Sequence, residues 1–328
     1  RFRNVTGVQT CALPIFYGDK ERYERDDSDE DDSYIANVMR IKNLYYNRTF
    51  SEKEVDSIIE GIMATRTLDS KSAQELVRKV EDNMTTVFYK RTPRHICKVQ
   101  EPELADRELL KDNLAIIQKA IDDNVRIQFR FNGYSYEKKL EPVREESDEL
   151  SPYYIVASGG KYYLLAAKEY EGYKPNMSIW RIDLMTDIEI PGRNDRLHIK
   201  GIPRIPKKDV ANLPEKWSED FQLKHLNMSF DKPVPVTLRI KSEKCEDNPK
   251  KRVRPGYTFL HDWFGDSFTY IRTETKPPYD DIVRVECSPY GMAHWALQYS
   301  ELVEVLEPES LRKDIKSKIK ALNEKYSL

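Results

Sequence analysis

Few side chains in this sequence combine the types and the spacing that an active site requires. The histidines occur singly, at His95, His198, His225, His261 and His294. The patterns of zinc proteases, serine hydrolases and nucleotide-binding loops (HExxH, GxSxG, the P-loop and GxGxxG) do not occur in it. Cys97, Cys245 and Cys287 lie far apart, without the CxxC or Cys/His spacing of a metal site. The sequence therefore predicts a protein that is not an enzyme and that holds no metal or cofactor.

The residues best suited to bind a ligand are one arginine and the tyrosines near it. Arg181 alternates with its apolar neighbours, so its side chain is predicted to share one face of a strand with Asp183. Such an arginine can pair with Asp183 and brace a small sheet. It can also bind an anion through two hydrogen bonds while a tyrosine stacks on a base. Spacing alone favours the brace.

The elements that must position Arg181 form a predicted sheet between residues 125 and 192. The run VRIQFRFN, residues 125–132, alternates apolar and polar side chains, which is typical of a half-buried strand. Asn132-Gly133 and Gly159-Gly160 are predicted to be tight turns between strands. About five short strands joined in this way predict a strongly bent sheet, and its closure into a barrel would remove exposed strand edges.

Helical patterns precede this sheet, between residues 51 and 124. Ser51 and Glu54 have the spacing of a capping box at the start of a first helix. A second helix is predicted to begin at Asp69 or Ser70, and a third spans about Asp106 to Asn124. The apolar stripe on each helix indicates packing within a helical linker.

The chain after residue 200 predicts a compact α+β domain. Strands are expected in PVPVTLRI, DIVRVECS and LVEVLE, and helices are expected to begin at Pro289 and Pro308. The runs YTFLHDW and SFTYIRTET are predicted to form a hairpin around Gly265-Asp266. The predicted fold class is therefore mixed α and β: a helical linker, a small β-barrel and a C-terminal α+β domain.

The first residues of the chain do not have the pattern of a protein segment. VTGVQTCALPI, from Val5 to Ile15, is what a common sequencing adapter encodes when it is translated in frame. We therefore expect residues 1–15 to be an artefact that stands in place of upstream coding sequence. The acidic run ERDDSDEDDS, from Glu24 to Ser33, cannot bury apolar surface and predicts a solvated linker.

The order of strands and aromatic residues resembles the WYL domain of bacterial transcriptional regulators. That family has a Trp-Tyr-Leu strand, and a later strand carries an aromatic-Arg-x-Asp element. Here the first element is Tyr162-Tyr163-Leu164, with tyrosine in place of tryptophan, and the second is Trp180-Arg181-Ile182-Asp183. RIQFRFNGYS resembles the family's first barrel strand. YSELVEVLEPESLRKDIKSKIKAL is similar to its C-terminal extension, and LYYNRTFSEKEVDSIIEGI resembles the junction that follows a winged helix.

The resemblance implies a winged helix-turn-helix, a helical linker, an Sm-like or SH3-like barrel and a C-terminal extension. On this layout residues 1–15 are adapter, 16–50 a remnant of the winged helix with the acidic linker, 51–124 the helical linker, 125–200 the barrel and 201–328 the extension. The barrel would sense a small anionic ligand, a nucleotide or a short single-stranded nucleic acid. The protein would form a homodimer, and it would bind duplex DNA only through the missing N-terminal domain.

The resemblance also implies a ligand site on the barrel. Tyr163 and Arg181 match the signature tyrosine and the sensor arginine of the family, and Tyr162 matches the variable aromatic residue before them. Three further residues are added because we expect them to lie nearby in a barrel: Arg130, Lys161 and Tyr153.

Composition limits the partners of the chain. Its 328 residues carry a formal net charge of −2, and no apolar run approaches the ~20 residues that span a bilayer. The scattered cysteines indicate reduced thiols and hence the cytoplasm. Residues 125–192 contain nine basic and eleven acidic side chains, which does not favour a long nucleic-acid track, because accumulated positive charge supplies most of that affinity. Two alternatives remain: a module that binds RNA or single-stranded DNA outside transcription, and an enzyme of unknown type.

Overall fold

The computed structural model describes residues 16–22, 39–46, 50–65, 68–84, 107–241, 244–245, 248–252 and 256–326. The predicted adapter segment and the acidic run lie outside these ranges. The chain divides into two compact units, Arg1–Glu103 and Leu104–Leu328. Helices and antiparallel sheets occur together, which confirms the mixed α and β fold class. Within the described ranges, no helix has the length and apolar character needed to cross a membrane.

The first unit contains an antiparallel ribbon and two helices. Its elements are β1 (Phe16–Arg22), β2 (Met39–Tyr46), α1 (Glu52–Ala64) and α2 (Ser70–Met84). The predicted capping box is present: the Ser51 hydroxyl accepts a hydrogen bond from the Glu54 backbone N–H, and the Ser51 N–H donates to the Glu54 carboxylate at 2.7 Å. The apolar stripes of the two helices meet in a small core built on Val55, Ile59 and Val80.

The second unit begins with a helix and a curled antiparallel sheet. The elements are α3 (Arg107–Asp123), β3 (Ile127–Tyr134), β4 (Leu140–Pro142), β5 (Asp148–Ser158), β6 (Lys161–Tyr170), β7 (Tyr173–Arg181) and β8 (Met185–Glu189). The strand order is β4-β3-β5-β6-β7, and β8 pairs with β3. The chain passes from β7 to β8 through a three-residue 3-10 turn, Ile182–Leu184. Because this short turn joins strands that pair at opposite sides of the sheet, the sheet curls into a half-barrel.

One of the two predicted turns is confirmed and the other is wrong. Gly159 and Gly160 both have positive φ, 55° and 75°, and connect β5 to β6 as expected. Asn132-Gly133 lies inside β3, and the chain turns later, where Lys138 has a φ of 64°. The Asn132 amide bonds to groups of the β7–β8 connection, and these distant partners keep Asn132 in the strand.

Both faces of the half-barrel sheet are covered by apolar side chains. The helix-side core joins α3 to one face and includes Leu110, Ile117, Ala120, Phe129, Leu164, Ile182 and Met185. The loop-side core joins the opposite face to the chain after β8 and includes Tyr153, Leu165, Met177, Ile205, Val210, Leu213 and Phe221. Residues of one strand therefore alternate between two buried cores.

The C-terminal part of the second unit is an α+β domain. After the short helix α4 (Phe221–Lys224), its elements are β9 (Val234–Ile240), β10 (Lys244–Cys245), β11 (Asn248–Arg252), α5 (Thr258–Phe264), β12 (Thr269–Thr273), β13 (Asp281–Cys287), α6 (Pro289–Gln298), β14 (Val303–Glu307) and α7 (Glu309–Tyr326). Four strands form an antiparallel sheet in the order β12-β13-β9-β14. The predicted helix that enters through Pro289 is confirmed, as is the helix that follows Pro308.

The hairpin predicted around Gly265-Asp266 is wrong, because its first arm is helix α5. The aromatic run resembled a strand, but Leu260 and Phe264 are four residues apart and are both buried on one helical face. Phe264 meets Trp295 edge to face, with 5.2 Å between the ring centroids. Cys287 lies in the same core, and burial raises the pKa of its thiol to about 12, which makes it chemically inert.

The stability of the second unit is expected to depend on pH through His225. This imidazole is buried and stacks on Phe221 with 4.1 Å between the ring centroids, and its Nδ1 lies 2.7 Å from the Ser229 carbonyl oxygen. Burial lowers the pKa of His225, although the hydrogen bond to Ser229 opposes the shift. The unfolded chain then binds a proton that the folded chain does not, so the free energy of unfolding falls as pH drops below about 6.5.

Urea denaturation at about pH 7.5 and about pH 5.5 measures this effect. The wild type is expected to lose more stability between the two conditions than His225→Gln. The exposed His294 provides the matched control, because His294→Gln makes the same replacement outside the buried core. Identical pH dependence in the wild type and His225→Gln would show that His225 does not cause the loss of stability at low pH.

Candidate functional site

The connection between β7 and β8 carries the pair of charges singled out in the sequence. We name residues 181–185 the Arg181 corner. Arg181 Nε and Nη2 donate to the two carboxylate oxygens of Asp183 at 3.1 and 2.5 Å. The Asp183 side chain is 1% exposed and that of Arg181 is 30% exposed. The bracing pair is therefore formed, and the Arg181 side chain remains partly exposed to solvent.

The pKa of Arg181 follows from this pairing. Burial alone would lower the pKa of the guanidinium, but the hydrogen bond and the negative charge of Asp183 outweigh burial and raise it. Asp183 takes up two of the five N–H donors of a guanidinium. The corner is thus a fixed positive group with remaining donor capacity, held on a buried carboxylate.

Two buried asparagines hold the backbone of the Arg181 corner. Asn113, on α3, donates through Nδ2 to the carbonyl oxygens of Ile182 at 3.3 Å and Met185 at 2.8 Å. Asn132, on β3, donates through Nδ2 to the Leu184 carbonyl oxygen at 3.0 Å. Buried carbonyls need a donor. The Ile182 carbonyl also accepts from the Met185 N–H, and the two amides add donors that tie the turn to α3 and to β3.

Tyr163 lies directly across from Arg181 on the neighbouring strand. The two residues are partners in the β6–β7 register, and side chains of such cross-strand pairs are neighbours on one face. Burial raises the pKa of the Tyr163 phenol, and the positive charge of Arg181 opposes that shift. The phenol therefore keeps its proton at neutral pH and can donate or accept a hydrogen bond.

Tyr134 is a neighbour of the corner that the sequence argument missed. It is the last residue of β3, its side chain is 49% exposed, and its phenol interacts electrostatically with Arg181. The period-two pattern that begins at Gln128 places Tyr134 on the same face as Arg130 and Asn132. The pattern contained this signal, but the turn predicted at Asn132-Gly133 ended the strand too early.

The other four predicted site residues lie elsewhere on the half-barrel. Tyr162 packs in the helix-side core, on the opposite face of β6 from Tyr163. Tyr153 is buried in the loop-side core and donates to the Ile205 carbonyl oxygen at 2.7 Å. Arg130 is exposed, with its Nε 3.8 Å from Asp187, and Lys161 is the first residue of β6, beside the Gly159-Gly160 turn. Of the six predicted residues, Arg181 and Tyr163 are the two that form a cross-strand pair.

A separate cleft of about 270 Å³ opens beside β3, β5 and β6. Arg126 lines it and is held by protein groups: its Nε donates to the Pro203 carbonyl at 3.1 Å, and Nη1 and Nη2 lie 2.9 Å from Glu149 and Glu169 respectively. These bonds pin the segment after β8 to the sheet. Arg126 in this cleft thus has a structural role: it bonds to three protein groups, whereas the hydrogen bonds of Arg181 go to Asp183.

The arrangement has the features of an anion-binding site on a β-sheet. A curled antiparallel half-barrel presents one arginine, paired to a buried carboxylate, with Tyr163 across the strand and Tyr134 close enough to interact electrostatically. Such a group can bind one acidic group of a ligand by charge-assisted hydrogen bonds and place a planar ring against a phenol. Among the described residues, no cluster of three or more His, Cys, Asp or Glu side chains is arranged to hold a metal ion.

Comparison with known families identifies the C-terminal domain. Residues 232–322 match the model of the WCX domain, which is related to the WYL domain. The match includes residues 299–322, whose resemblance to the C-terminal extension of WYL regulators it supports. A comparison with curated proteins finds no match.

Two solved structures are similar to the chain at low identity. One is proteasome accessory factor B/C (PafBC) of Arthrobacter aurescens, with 16% identity and a TM-score of 0.24, where the alignment covers 88% of this chain and 40% of that one. The other is a CRISPR Cas-related protein, with 12% identity and a TM-score of 0.35, covering 83% of this chain and 78% of that one. The chain thus spans less than half the length of PafBC.

Proposed function

We propose that the chain is a non-enzymatic transcriptional regulator of the WYL type, in which the half-barrel senses a small ligand. The ligand is a small anion, a nucleotide or a short single-stranded nucleic acid, bound at the Arg181 corner. Tyr163 and Tyr134, the two tyrosines that interact with Arg181, would contact the planar part of the ligand. The working form proposed is a homodimer.

The observation that carries this proposal is the Arg181–Tyr163 register pair, in a chain that continues into a WCX-type domain. The pair matches the two signature positions of the WYL resemblance. The side chain of Arg181 is 30% exposed. The WCX match supports a regulator over the alternative, a nucleic-acid-binding module outside transcription. A single exposed guanidinium also suits a ligand with one or two acidic groups better than a long polyphosphate.

The test is the binding of nucleoside monophosphates and 5′-phosphorylated oligothymidylates, measured by calorimetry on the wild type and Arg181→Ala. A charge-assisted ligand contact contributes roughly 1.5–3 kcal/mol, so the variant should lose about tenfold or more in affinity. Arg181→Lys should not recover the loss fully, because an ammonium cannot replace the guanidinium fork. Thermal melts confirm that each variant remains folded.

Arg193 supplies a matched control for this experiment. Its guanidinium Nη2 lies 2.7 Å from Asp195 and its side chain is 23% exposed, so it resembles Arg181 in pairing and in exposure. Arg193→Ala should bind the probes as the wild type does. If the wild type binds a probe and Arg181→Ala binds it equally well, Arg181 is only a brace and the proposed site is wrong.

A further inference from the structure

We infer that Asn113 is a positioning residue that couples the Arg181 corner to helix α3. A regulatory role for Asn113 rests on the proposed ligand site, whereas the coupling of the corner to α3 depends only on contacts within the folded chain. Asn113 is buried in the middle of α3, and its side-chain amide bonds the carbonyl oxygens on the two sides of Asp183. One side chain of the helix therefore holds the backbone segment that carries the partner of Arg181.

The coupling follows from the cost of leaving buried polar groups unpaired. A ligand that draws Arg181 away from Asp183 leaves a carboxylate that is 1% exposed without its cation. The turn that carries Asp183 must then shift to hydrate it, since an unpaired buried charge is strongly unfavourable. Such a shift moves the Ile182 and Met185 carbonyls, and Asn113 must follow them or lose both hydrogen bonds.

Helix α3 is placed to respond to such a shift. Leu110 and Ile117 flank Asn113 by one turn on either side and pack in the helix-side core against the half-barrel. Asn132 offers a contrast, because it holds the Leu184 carbonyl from within the sheet and does not involve the helix. Ile182 and Met185 also pack in the helix-side core, so we expect disturbance of the corner to reach α3 mainly through Asn113 and to be much weaker when Asn113 is absent.

The decisive experiment needs no ligand. Arg181→Ala removes the cation from Asp183, and hydrogen exchange of the α3 backbone is measured for the wild type, Arg181→Ala, Asn113→Leu and the double variant. In the presence of Asn113, Arg181→Ala should speed exchange in the α3 turns around residue 113 by about tenfold. In the Asn113→Leu background the same change should alter exchange by less than about threefold.

Asp112→Ala is the matched control, because Asp112 is the exposed neighbour of Asn113 on the same helix. In its background Arg181→Ala should retain its full effect. If Arg181→Ala accelerates α3 exchange equally with and without Asn113, or leaves α3 unchanged, the inference is overturned.

Should Asn113→Leu fail to fold, the side-chain amide protons of Asn113 provide the readout in a protein that retains Asn113. Arg181→Ala should then shift their resonances and speed their exchange, and unchanged signals would refute the coupling.

The ligand proposal and the coupling fail in different ways. If none of the calorimetric probes binds the wild type while the exchange effect depends on Asn113, the coupling stands and the proposed ligand is wrong. If a 5′-phosphorylated oligothymidylate binds through Arg181 and α3 exchange is indifferent to Asn113, the ligand site stands and the coupling is wrong.

Discussion

Replacing Trp295 with alanine is expected to destabilise the second unit by about 3–5 kcal/mol, the cost typical of deleting a large buried aromatic side chain. Trp295 is fully buried at the centre of the C-terminal core. Three aromatic rings surround it: Phe264 at 5.2 Å, Tyr299 at 5.1 Å and Phe259 at 6.0 Å between centroids. The cavity left by the indole cannot close without moving α5 and α6 together, because both helices pack through this ring.

Thermal denaturation measures the effect of Trp295→Ala as a fall in melting temperature of roughly 10 °C for a unit of this size. Trp217 is the matched control, since its side chain is 44% exposed and packs at the edge of the loop-side face. Trp217→Ala should cost about 1 kcal/mol or less. Equal losses for the two tryptophans would show that Trp295 is not a central core residue.

Gly291→Ala is expected to cost about 3 kcal/mol, the upper part of the usual range for overpacking. A methyl group at Gly291 would lie 2.7 Å from the Leu226 carbonyl oxygen and 2.8 Å from the hydroxyls of Ser229 and Ser288. These groups cannot move aside cheaply. The Ser288 hydroxyl caps α6 by accepting from the Gly291 N–H at 3.2 Å, and it is hydrogen-bonded to the Ser229 hydroxyl. The substitution should therefore disturb the helix cap and a buried polar pair together.

Gly61→Ala is the opposite case and serves as the control. Gly61 also lies within a helix, and a methyl group there would meet no atom within 4 Å. Alanine in an open helical position stabilises by roughly 0.5–1 kcal/mol, because glycine loses more conformational entropy on folding. Urea denaturation of both variants should give changes of opposite sign. A neutral or stabilising Gly291→Ala would contradict the close approach of α6 to the Leu226 carbonyl.

The candidate site shows which structural features local sequence patterns can predict. Alternation along a strand is a property of consecutive residues, and it correctly predicted that Arg181 and Asp183 can pair. The glycine pair Gly159-Gly160 is likewise a local signal, and it joins two strands as predicted. The prediction placed Tyr162 and Tyr163 in one site, but they lie on opposite faces of β6. The register that sets Tyr163 opposite Arg181 depends on how β6 and β7 align, including an irregularity between Lys168 and Tyr170, and no local pattern encodes it.

The sequence by itself determined the features whose partners are a few residues away. The Ser51–Glu54 capping box, the entry of α6 at Pro289 and the alternation of β3 are all of this kind, because each depends only on the backbone geometry of one element. Tertiary structure decided where β3 ends, because Asn132 finds its acceptor at Leu184, which is 52 residues away in the chain and lies beside β3 through the β3–β8 pairing. A buried amide takes the partner that satisfies it, however distant in the chain.

Contacts between residues distant in the chain also explain the two wrong predictions with the largest consequences, the early end of β3 and the hairpin in place of α5. Tyr134 joined the candidate site only because the strand continued past Asn132, and that continuation was set by a distant hydrogen bond. Residues 258–264 became a helix because Leu260 and Phe264 are buried in the core that contains Trp295, so packing with a distant residue overrode a strand-like composition. Local chemistry thus determined the elements and their faces. Contacts between residues far apart in the chain decided which side chains stand beside Arg181.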